Sequence, residues 1–189
     1  MKKDGFSLIE LLVVMIILGV VATLGTVSFT GWVRKHNLES QVREMYTDLM
    51  SARLTAMHQN RTHFITLSAN QIRAYEDTDP APNGNGTLTL GSDNPLCLWE
   101  RKRGDPVDAT CPTSSSLSYK NLTFPAIWNG AATLEFNARG LSNSDKSICV
   151  FSTYNPSYDC IVVSSTRIRM GKLLSQSGGC NSGNCEPKK

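Results

Sequence analysis

One carboxylate near the start of the chain has an unusual sequence context. Glu10 lies at the leading end of an apolar run, and residues 11–33 contain no fully charged side chain. A carboxylate well inside a bilayer costs about 3 kcal/mol, so it needs either a positive partner or a position among the lipid headgroups. Glu10 is therefore a candidate for pairing with a cation rather than for catalysis.

No pattern of residues in the chain is typical of an enzyme. The three histidines are scattered, and the sequence contains no HExxH, P-loop or GxSxG motif. We therefore expect no catalytic residues, no metal site and no cofactor.

Two arginines near the end of the chain are candidates for binding DNA. Arg167 and Arg169 have strand spacing, so both side chains are expected on one face, where they would contact phosphates. The alternative is a solvated strand face with a structural ion pair, which the modest net charge of +3 favours. Further basic residues that extend this surface are Lys172, Arg101, Lys102 and Arg103.

All six cysteines follow the apolar run, which indicates disulfide bonds in an oxidising compartment. They are Cys97, Cys111, Cys149, Cys160, Cys180 and Cys185. Short loops favour pairing in sequence order, Cys97–Cys111, Cys149–Cys160 and Cys180–Cys185, among fifteen possible connectivities. A zinc site is the alternative, but the last pair alone has ligand spacing and the histidines lie far upstream.

The apolar run itself is long enough to cross a membrane. Residues 11–33 would span roughly 30 Å as a helix. A cleavable secretory signal has a shorter apolar region and a small-residue cleavage site, and neither is present. A simple signal anchor needs neither the Gly5-Phe6 junction nor Glu10. The third alternative is that a short basic leader is removed and the whole apolar helix is retained.

The helix is expected to continue beyond the apolar run, over residues 7–58. Its second half has apolar positions at alternating steps of four and three, which form one stripe with charged residues between them. The stripe consists of Leu38, Val42, Met45, Leu49, Ala52 and Ala56. This stripe predicts a globular partner that covers it.

After the helix the periodicity changes to that of β-strands. We expect strands at 62–67, 72–75, 87–90, 97–100, 118–122, 132–136, 147–153 and 160–169, with a hairpin turned by 155–157. A long helix followed by strands predicts an α+β fold with antiparallel sheets packed over the stripe.

The residues Gly5-Phe6-Ser7-Leu8-Ile9-Glu10 resemble the processing motif of type IV pilins and type II secretion pseudopilins. In the C-terminal half, 136–140, 148–150 and 161–169 resemble the type II secretion protein H and FimT/FimU minor pilins, with Thr166 where that family usually has glycine. The resemblance implies the pilin fold, cleavage after Gly5 by a prepilin peptidase, N-methylation of Phe6 and an assembly role for Glu10.

The resemblance also implies a cellular context. The expected organisation is a leader at 1–5, a transmembrane helix at 6–33, its amphipathic continuation at 34–58, a β-rich periplasmic domain at 59–174 and a flexible tail at 175–189. The expected function is that of a structural subunit near the tip of a type IV pilus or pseudopilus. Its partners would be other pilin subunits, an inner-membrane assembly platform and membrane lipid, and the alternative function is DNA binding during natural transformation.

Overall fold

The computed structural model describes residues 7–81, 84–96, 119–130 and 133–188, and for residues 21–28 it describes the backbone alone. Within these residues one long helix precedes two antiparallel β-sheets, so the predicted α+β arrangement is confirmed. In the described part of the chain, no helical stretch combines the length and the hydropathy needed to cross a membrane.

Helix α1 spans Leu8–Gln59, a length of 52 residues. It ends where Asn60 adopts a left-handed conformation and its N–H donates to the carbonyl of Ala56. Asparagine tolerates this conformation better than most residues, which explains why the helix stops there. The predicted helix at 7–58 is therefore confirmed within one residue at each end.

The predicted apolar stripe is the part of α1 that meets the sheets. All six of its side chains are at most 1% exposed, and they contact apolar residues from both sheets in one continuous core. A helix with one apolar face gains most of its stability from such burial rather than from intrinsic propensity.

The first sheet has the order β3-β2-β1-β6, and β4 also pairs with β2. Its strands are β1 (His63–Ser68), β2 (Gln71–Glu76), β3 (Asn94–Pro95), β4 (Tyr119–Asn121) and β6 (Thr133–Phe136). Strands β1 and β2 correspond to the strands predicted at 62–67 and 72–75, and they form a tight hairpin with a turn at 68–71, where Ser68 faces Gln71.

The second sheet has the order β10-β9-β8-β7-β5. Its strands are β5 (Ile127–Trp128), β7 (Lys146–Cys149), β8 (Cys160–Val163), β9 (Ile168–Leu173) and β10 (Cys185–Pro187). One face of this sheet covers α1, and the other face carries a small second cluster that includes Cys149, Cys160 and Leu173. The predicted hairpin of β7 and β8 is confirmed.

The strand predicted at 87–90 is wrong, because side chains hold the backbone in turns there. The Thr87 N–H donates to Asn85 Oδ1 at 2.8 Å, and the Thr89 N–H donates to Asp93 Oδ2 at 2.7 Å. Such local bonds compete with a strand ladder for the same donors. The strand predicted at 97–100 lies outside the described residues.

The single strand predicted at 160–169 is also wrong, since the structure has the two strands β8 and β9 joined by a tight turn. Ser164 and Arg167 exchange two backbone hydrogen bonds, of 2.8 and 3.3 Å, around Ser165 and Thr166. Both central residues are polar and exposed, which suits a two-residue hairpin loop.

The predicted disulfide pairing is wrong for the four cysteines that the structure describes. The bonds are Cys149–Cys180 and Cys160–Cys185, whereas Cys149 and Cys160 face each other across β7 and β8 without bonding. Cys97 and Cys111 lie outside the described residues. The flexible tail predicted at 175–189 is corrected too, because both bonds and strand β10 fasten this segment to the second sheet.

Candidate functional site

The predicted processing site lies at the edge of the described residues. Gly5 and Phe6 fall outside them, so cleavage and methylation there stay predictions. Glu10 is in the first turn of α1, and its backbone N–H donates to the Ser7 carbonyl at 3.1 Å. Its side chain is exposed, and a carboxylate in a first helical turn interacts favourably with the helix dipole.

The first part of α1 is an unpartnered apolar rod. Every large hydrophobic side chain from Leu8 to Val20 is at least 46% exposed. Soluble monomers rarely expose contiguous apolar surface of this extent, and such surface marks contact with a membrane or with other proteins. This first part of the helix is therefore a candidate contact surface.

Aromatic side chains mark the end of the apolar run. Phe29 and Trp32 are each 62% exposed, and the Trp32 ring stacks on His36 with centroids 5.8 Å apart. Tryptophan prefers the interface between hydrocarbon and water, because its ring is apolar while its N–H is polar. Trp32 is thus placed where a membrane-inserted helix would leave the hydrocarbon.

The two sheets and their loops, together with the part of α1 that they cover, form the head, and one of its loops contacts α1 just after Trp32. We call residues 150–159, which connect β7 to β8, the rim loop. The guanidinium of Arg34 donates to the Tyr154 hydroxyl at 2.7 Å. The Ser157 N–H donates to a carboxylate oxygen of Glu39 at 2.6 Å. Although burial acts in the opposite direction, this bond and the nearby cations Lys35 and Arg43 keep the pKa of Glu39 below its usual value.

The other end of the head gathers three arginines from three elements, which we call the distal cluster: Arg53, Arg139 and Arg167. The guanidinium of Arg53 on α1 donates to the carbonyl of Thr166, in the turn that carries Arg167. Arg139 lies in the turn after β6, and that turn joins the β8–β9 turn through a bond from the Ser142 N–H to the Ser165 carbonyl. Arg139 and Arg167 are exposed.

Gly140 allows the turn after β6 to pack against the helix. Its φ is +70°, and a Cβ built on it would lie 2.5 Å from Met57 Sδ and 3.3 Å from Arg53 Nε. Any larger residue would be strained by its backbone, and the Met57 side chain would have to move to make room for it. The glycine therefore allows the turn that carries Arg139 to pack closely against α1.

The predicted basic residues do not form one surface. Arg167 sits in the turn and Arg169 in β9, and in the described part of the chain neither forms an ion pair, so the predicted structural ion pair is absent there. Lys172 is three residues from Arg169, so it points to the opposite face of β9, and its ammonium donates to Asn155 in the rim loop at 2.7 Å. Arg101, Lys102 and Arg103 lie outside the described residues.

Two polar contacts fix the helix against the first sheet. Gln41 is 8% exposed, and its amide exchanges two hydrogen bonds with the backbone of Phe124, at 2.7 and 2.9 Å. Lys120 on β4 forms ion pairs with Asp48 at 2.8 Å and Glu44 at 3.1 Å. Burial alone would lower the pKa of Lys120, but the hydrogen bond and charge of Asp48 raise it.

One buried carboxylate organises the tail. Asp159 is 0% exposed, and its carboxylate accepts hydrogen bonds from the Leu173 N–H at 2.5 Å and the Gln176 amide at 2.9 Å. Burial raises its pKa, and the two hydrogen bonds oppose that effect. In the described residues no group of three potential ligands could hold a metal ion.

Sequence reasoning missed both ends of the head as sites. The Arg34–Tyr154 and Arg53–Thr166 contacts join residues more than a hundred positions apart, and no local pattern reports such pairs. The turn 137–140 did carry a signal, because an Asn-x-x-Gly sequence between apolar residues is typical of a turn that needs a positive φ.

Comparison with known sequences gives one match and one absence. A family model described as the prokaryotic N-terminal methylation motif matches residues 1–26. In a comparison with curated proteins, no sequence matches the chain.

Comparison with solved structures finds similar folds at low sequence identity. A crystal structure of the type IV minor pilin FimU from Pseudomonas aeruginosa is 15% identical, with 76% of this chain and 97% of that chain covered and a TM-score of 0.43. A second crystal form of FimU, also 15% identical, covers 80% and 97% with a TM-score of 0.45. The minor pseudopilin EpsH from the type 2 secretion system of Vibrio cholerae is 8% identical, covering 71% and 95% with a TM-score of 0.48.

Proposed function

We propose that this chain, which carries the prokaryotic N-terminal methylation motif over residues 1–26, is a minor pilin or pseudopilin. In this proposal a prepilin peptidase cuts after Gly5, and Phe6 becomes the methylated N-terminus. Residues 6–33 anchor the chain in the inner membrane, with the head in the periplasm. The subunit then enters a type IV pilus or a type II secretion pseudopilus, near its tip, and its role is structural rather than catalytic.

The observation that carries the proposal is the division of α1 into two surfaces. Near Glu10 the apolar side chains from Leu8 to Val20 are exposed on all sides of the helix, whereas from Leu38 onward α1 buries its apolar stripe under the head. A helix of this kind can lie in the lipid bilayer as a monomer and pack against the corresponding helices of other subunits in a filament. Lipid chains in the first case and neighbouring helices in the second cover the same apolar surface. Disulfide bonds in the head fit an oxidising periplasm.

Glu10 has a defined role in this proposal. In the membrane-inserted subunit an unpaired carboxylate is costly, so pairing with the amine of Phe6 in a neighbouring subunit would favour assembly and set the axial register. If Glu10 instead sits among the headgroups, its removal leaves assembly unchanged.

The test combines processing with assembly. The chain is expressed with a prepilin peptidase and its filament system, and mass spectrometry of the intact protein determines the N-terminus. We expect a chain that begins at methylated Phe6. Glu10→Ala should still be processed but should be depleted from the sheared filament fraction, whereas the control Asp145→Ala, which removes an exposed acid of the head, should enter filaments normally.

Two results would contradict different parts of the proposal. A functional form that retains Met1 would exclude the pilin interpretation altogether. A Glu10→Ala chain that is processed and reaches filaments at the wild-type level would leave the subunit interpretation intact but remove the assembly role of the carboxylate. Cross-linking to the other minor subunits tests the position near the tip.

The alternative function, DNA binding, is favoured by the distal cluster. Arg139 and Arg167 are exposed on adjoining turns, and Arg169 follows on β9. Binding would use phosphate contacts, so the affinity should fall steeply with salt. The logarithm of the binding constant should decrease with the logarithm of the salt concentration with a slope of about 0.9 for each phosphate neutralised on duplex DNA. A gel-shift titration of wild type against Arg139→Gln with Arg167→Gln tests this. Equal shifts, or no salt-sensitive shift in wild type, would exclude it.

A further inference from the structure

The rim loop lies at the level where the proposed membrane span ends. Tyr154 contacts Arg34, one residue beyond the apolar run, and Ser157 contacts Glu39 little more than one turn higher. The helix passes Trp32 just below these contacts. A helix inserted up to this point would bring the rim loop against the lipid headgroups, because the helix rises only about 1.5 Å per residue.

The residues around this level are mainly cationic. The cations are Arg34, Lys35, Lys172 and Lys188. Arg34 donates to the neutral Tyr154 hydroxyl and Lys172 to the neutral amide of Asn155, so their positive charges are not neutralised by these partners. The Lys188 ammonium lies 5.4 Å from the centroid of the Tyr158 ring, on the same loop.

Acidic residues at this level do not balance the cations. Glu39 is held by the Ser157 N–H and interacts with Lys35 and Arg43. Asp159 is fully buried under the tail. Glu186 is exposed on β10, where it is the register partner of Lys172. Cations therefore exceed accessible carboxylates on the surface that would face the membrane.

We propose that the rim loop and its four cations bind the phosphate groups of anionic phospholipids in the outer leaflet around the helix. The inference rests on the proposed membrane anchoring of α1 and goes beyond it, since an anchor alone has no headgroup preference. Each guanidinium or ammonium supplies donors that match phosphate oxygens, and Trp32 and Tyr154 occupy the interfacial layer. The head is thereby held upright on the membrane before assembly.

The test measures lipid selectivity of the full chain in nanodiscs. The discs contain phosphatidylglycerol and phosphatidylcholine, and spin-labelled versions of each lipid report how much of it is immobilised by the protein. We expect wild type to prefer phosphatidylglycerol, and salt to weaken the preference. A basic residue near an anionic surface raises the affinity for that surface on the order of fivefold. In a variant with all four cations changed to Gln, the ratio of immobilised phosphatidylglycerol to immobilised phosphatidylcholine should therefore fall several-fold.

A matched control uses the other end of the head. Arg139→Gln with Arg167→Gln removes exposed charge about 28 Å further along the helix axis, as estimated from the nineteen helical steps from Arg34 to Arg53 at about 1.5 Å each. This control should retain the wild-type preference. Lys2 and Lys3 stay unchanged in every variant, so they do not contribute to the differences.

The outcomes separate this inference from the proposed function. Equal selectivity in wild type and in the rim variant, with the chain inserted in the discs, overturns the lipid inference alone. A chain that does not insert overturns the membrane anchoring and the lipid inference together. A DNA shift that is lost in the rim variant while lipid selectivity is unchanged would assign the surface to nucleic acid and also overturn the inference.

Discussion

The stability of the head should depend on pH through one buried histidine. His63 begins β1 and is 0% exposed, with Nδ1 3.2 Å from the carbonyl of Ala52 and Nε2 2.8 Å from Gln59 Oε1. Burial is the main reason that its pKa falls from 6.5 to about 4; the bond to Ala52 opposes the change and the charge of Arg61 adds to it.

The sign and size of the effect follow from proton linkage. Between pH 6.5 and about pH 4 the unfolded chain binds a proton at this position while the folded head does not, so folding stability decreases as the pH falls through this range. Since one pKa unit corresponds to about 1.4 kcal/mol, the full change is about 3 kcal/mol. Below about pH 4 the folded head also binds the proton and the loss ends.

The assay is urea unfolding of the full chain in mild detergent, followed by tryptophan fluorescence near pH 7 and near pH 4.5. His63→Leu has no proton to bind, so we expect it to be less stable than wild type near pH 7 but to lose much less on acidification. His58→Leu, at an exposed position in the last turn of α1, is the control and should keep the wild-type difference.

Other buried groups also bind protons on acidification, so the test compares how much stability each variant loses. Burial raises the pKa values of Glu135 and Asp159, and raised carboxyl pKa values make the folded state relatively more stable as the pH falls. These contributions are present in wild type and in His63→Leu alike. If both proteins lose the same free energy of unfolding between the two pH values, the reasoning about His63 is refuted.

Three further changes test how the head is held together. Gly140→Ala should destabilise it by about 1–3 kcal/mol, because alanine is strained at the positive φ of this residue and its Cβ would displace the Met57 side chain, and denaturant midpoints will measure this; an unchanged midpoint contradicts this argument. Gln41→Glu loses the donor to the Phe124 carbonyl, and Gln41→Met leaves both the Phe124 N–H and its carbonyl unpaired, so each change should cost about 1–3 kcal/mol by the same midpoints, and unchanged midpoints contradict the role of this contact. Replacing Cys160 and Cys185 by Ser should cost about 2–4 kcal/mol and speed hydrogen exchange in β10; unchanged exchange there would show that the strand is held by pairing alone.

Local periodicity was sufficient to predict the part of the fold that positions the head. The stripe from Leu38 to Ala56 repeats every three or four residues, so a single sequence defines both the helix and its buried face. The β1–β2 hairpin was predictable for the same reason, because alternation and the turn at 68–71 lie within fourteen neighbouring residues. In both elements the determining interactions are close in sequence.

Pairings between distant segments were not predictable from these patterns. Short loops favoured Cys149–Cys160, but the cysteines bond to positions 180 and 185 because β10 packs beside β9. The turn at Ser165 and Thr166 was missed because residues 164–167 contain no glycine, proline, asparagine or aspartate, which are the strongest sequence markers of a turn. The basic positions were recognised by charge, but the sheet register divides them between the distal cluster and the rim loop.

The two disulfide bonds interleave in sequence, so neighbouring cysteines can pair wrongly before their native partners are available. In the proposed periplasmic topology, Cys149 and Cys160 reach the oxidising compartment before Cys180 and Cys185, and they become neighbours as soon as their hairpin closes. A bond between Cys149 and Cys160 would leave Cys180 and Cys185 without their native partners, and these two could then form a second non-native bond. To reach the native pairing, a thiolate must attack the non-native Cys149–Cys160 disulfide and exchange it for the native bonds. Production of this protein should therefore depend on a disulfide isomerase as well as an oxidant.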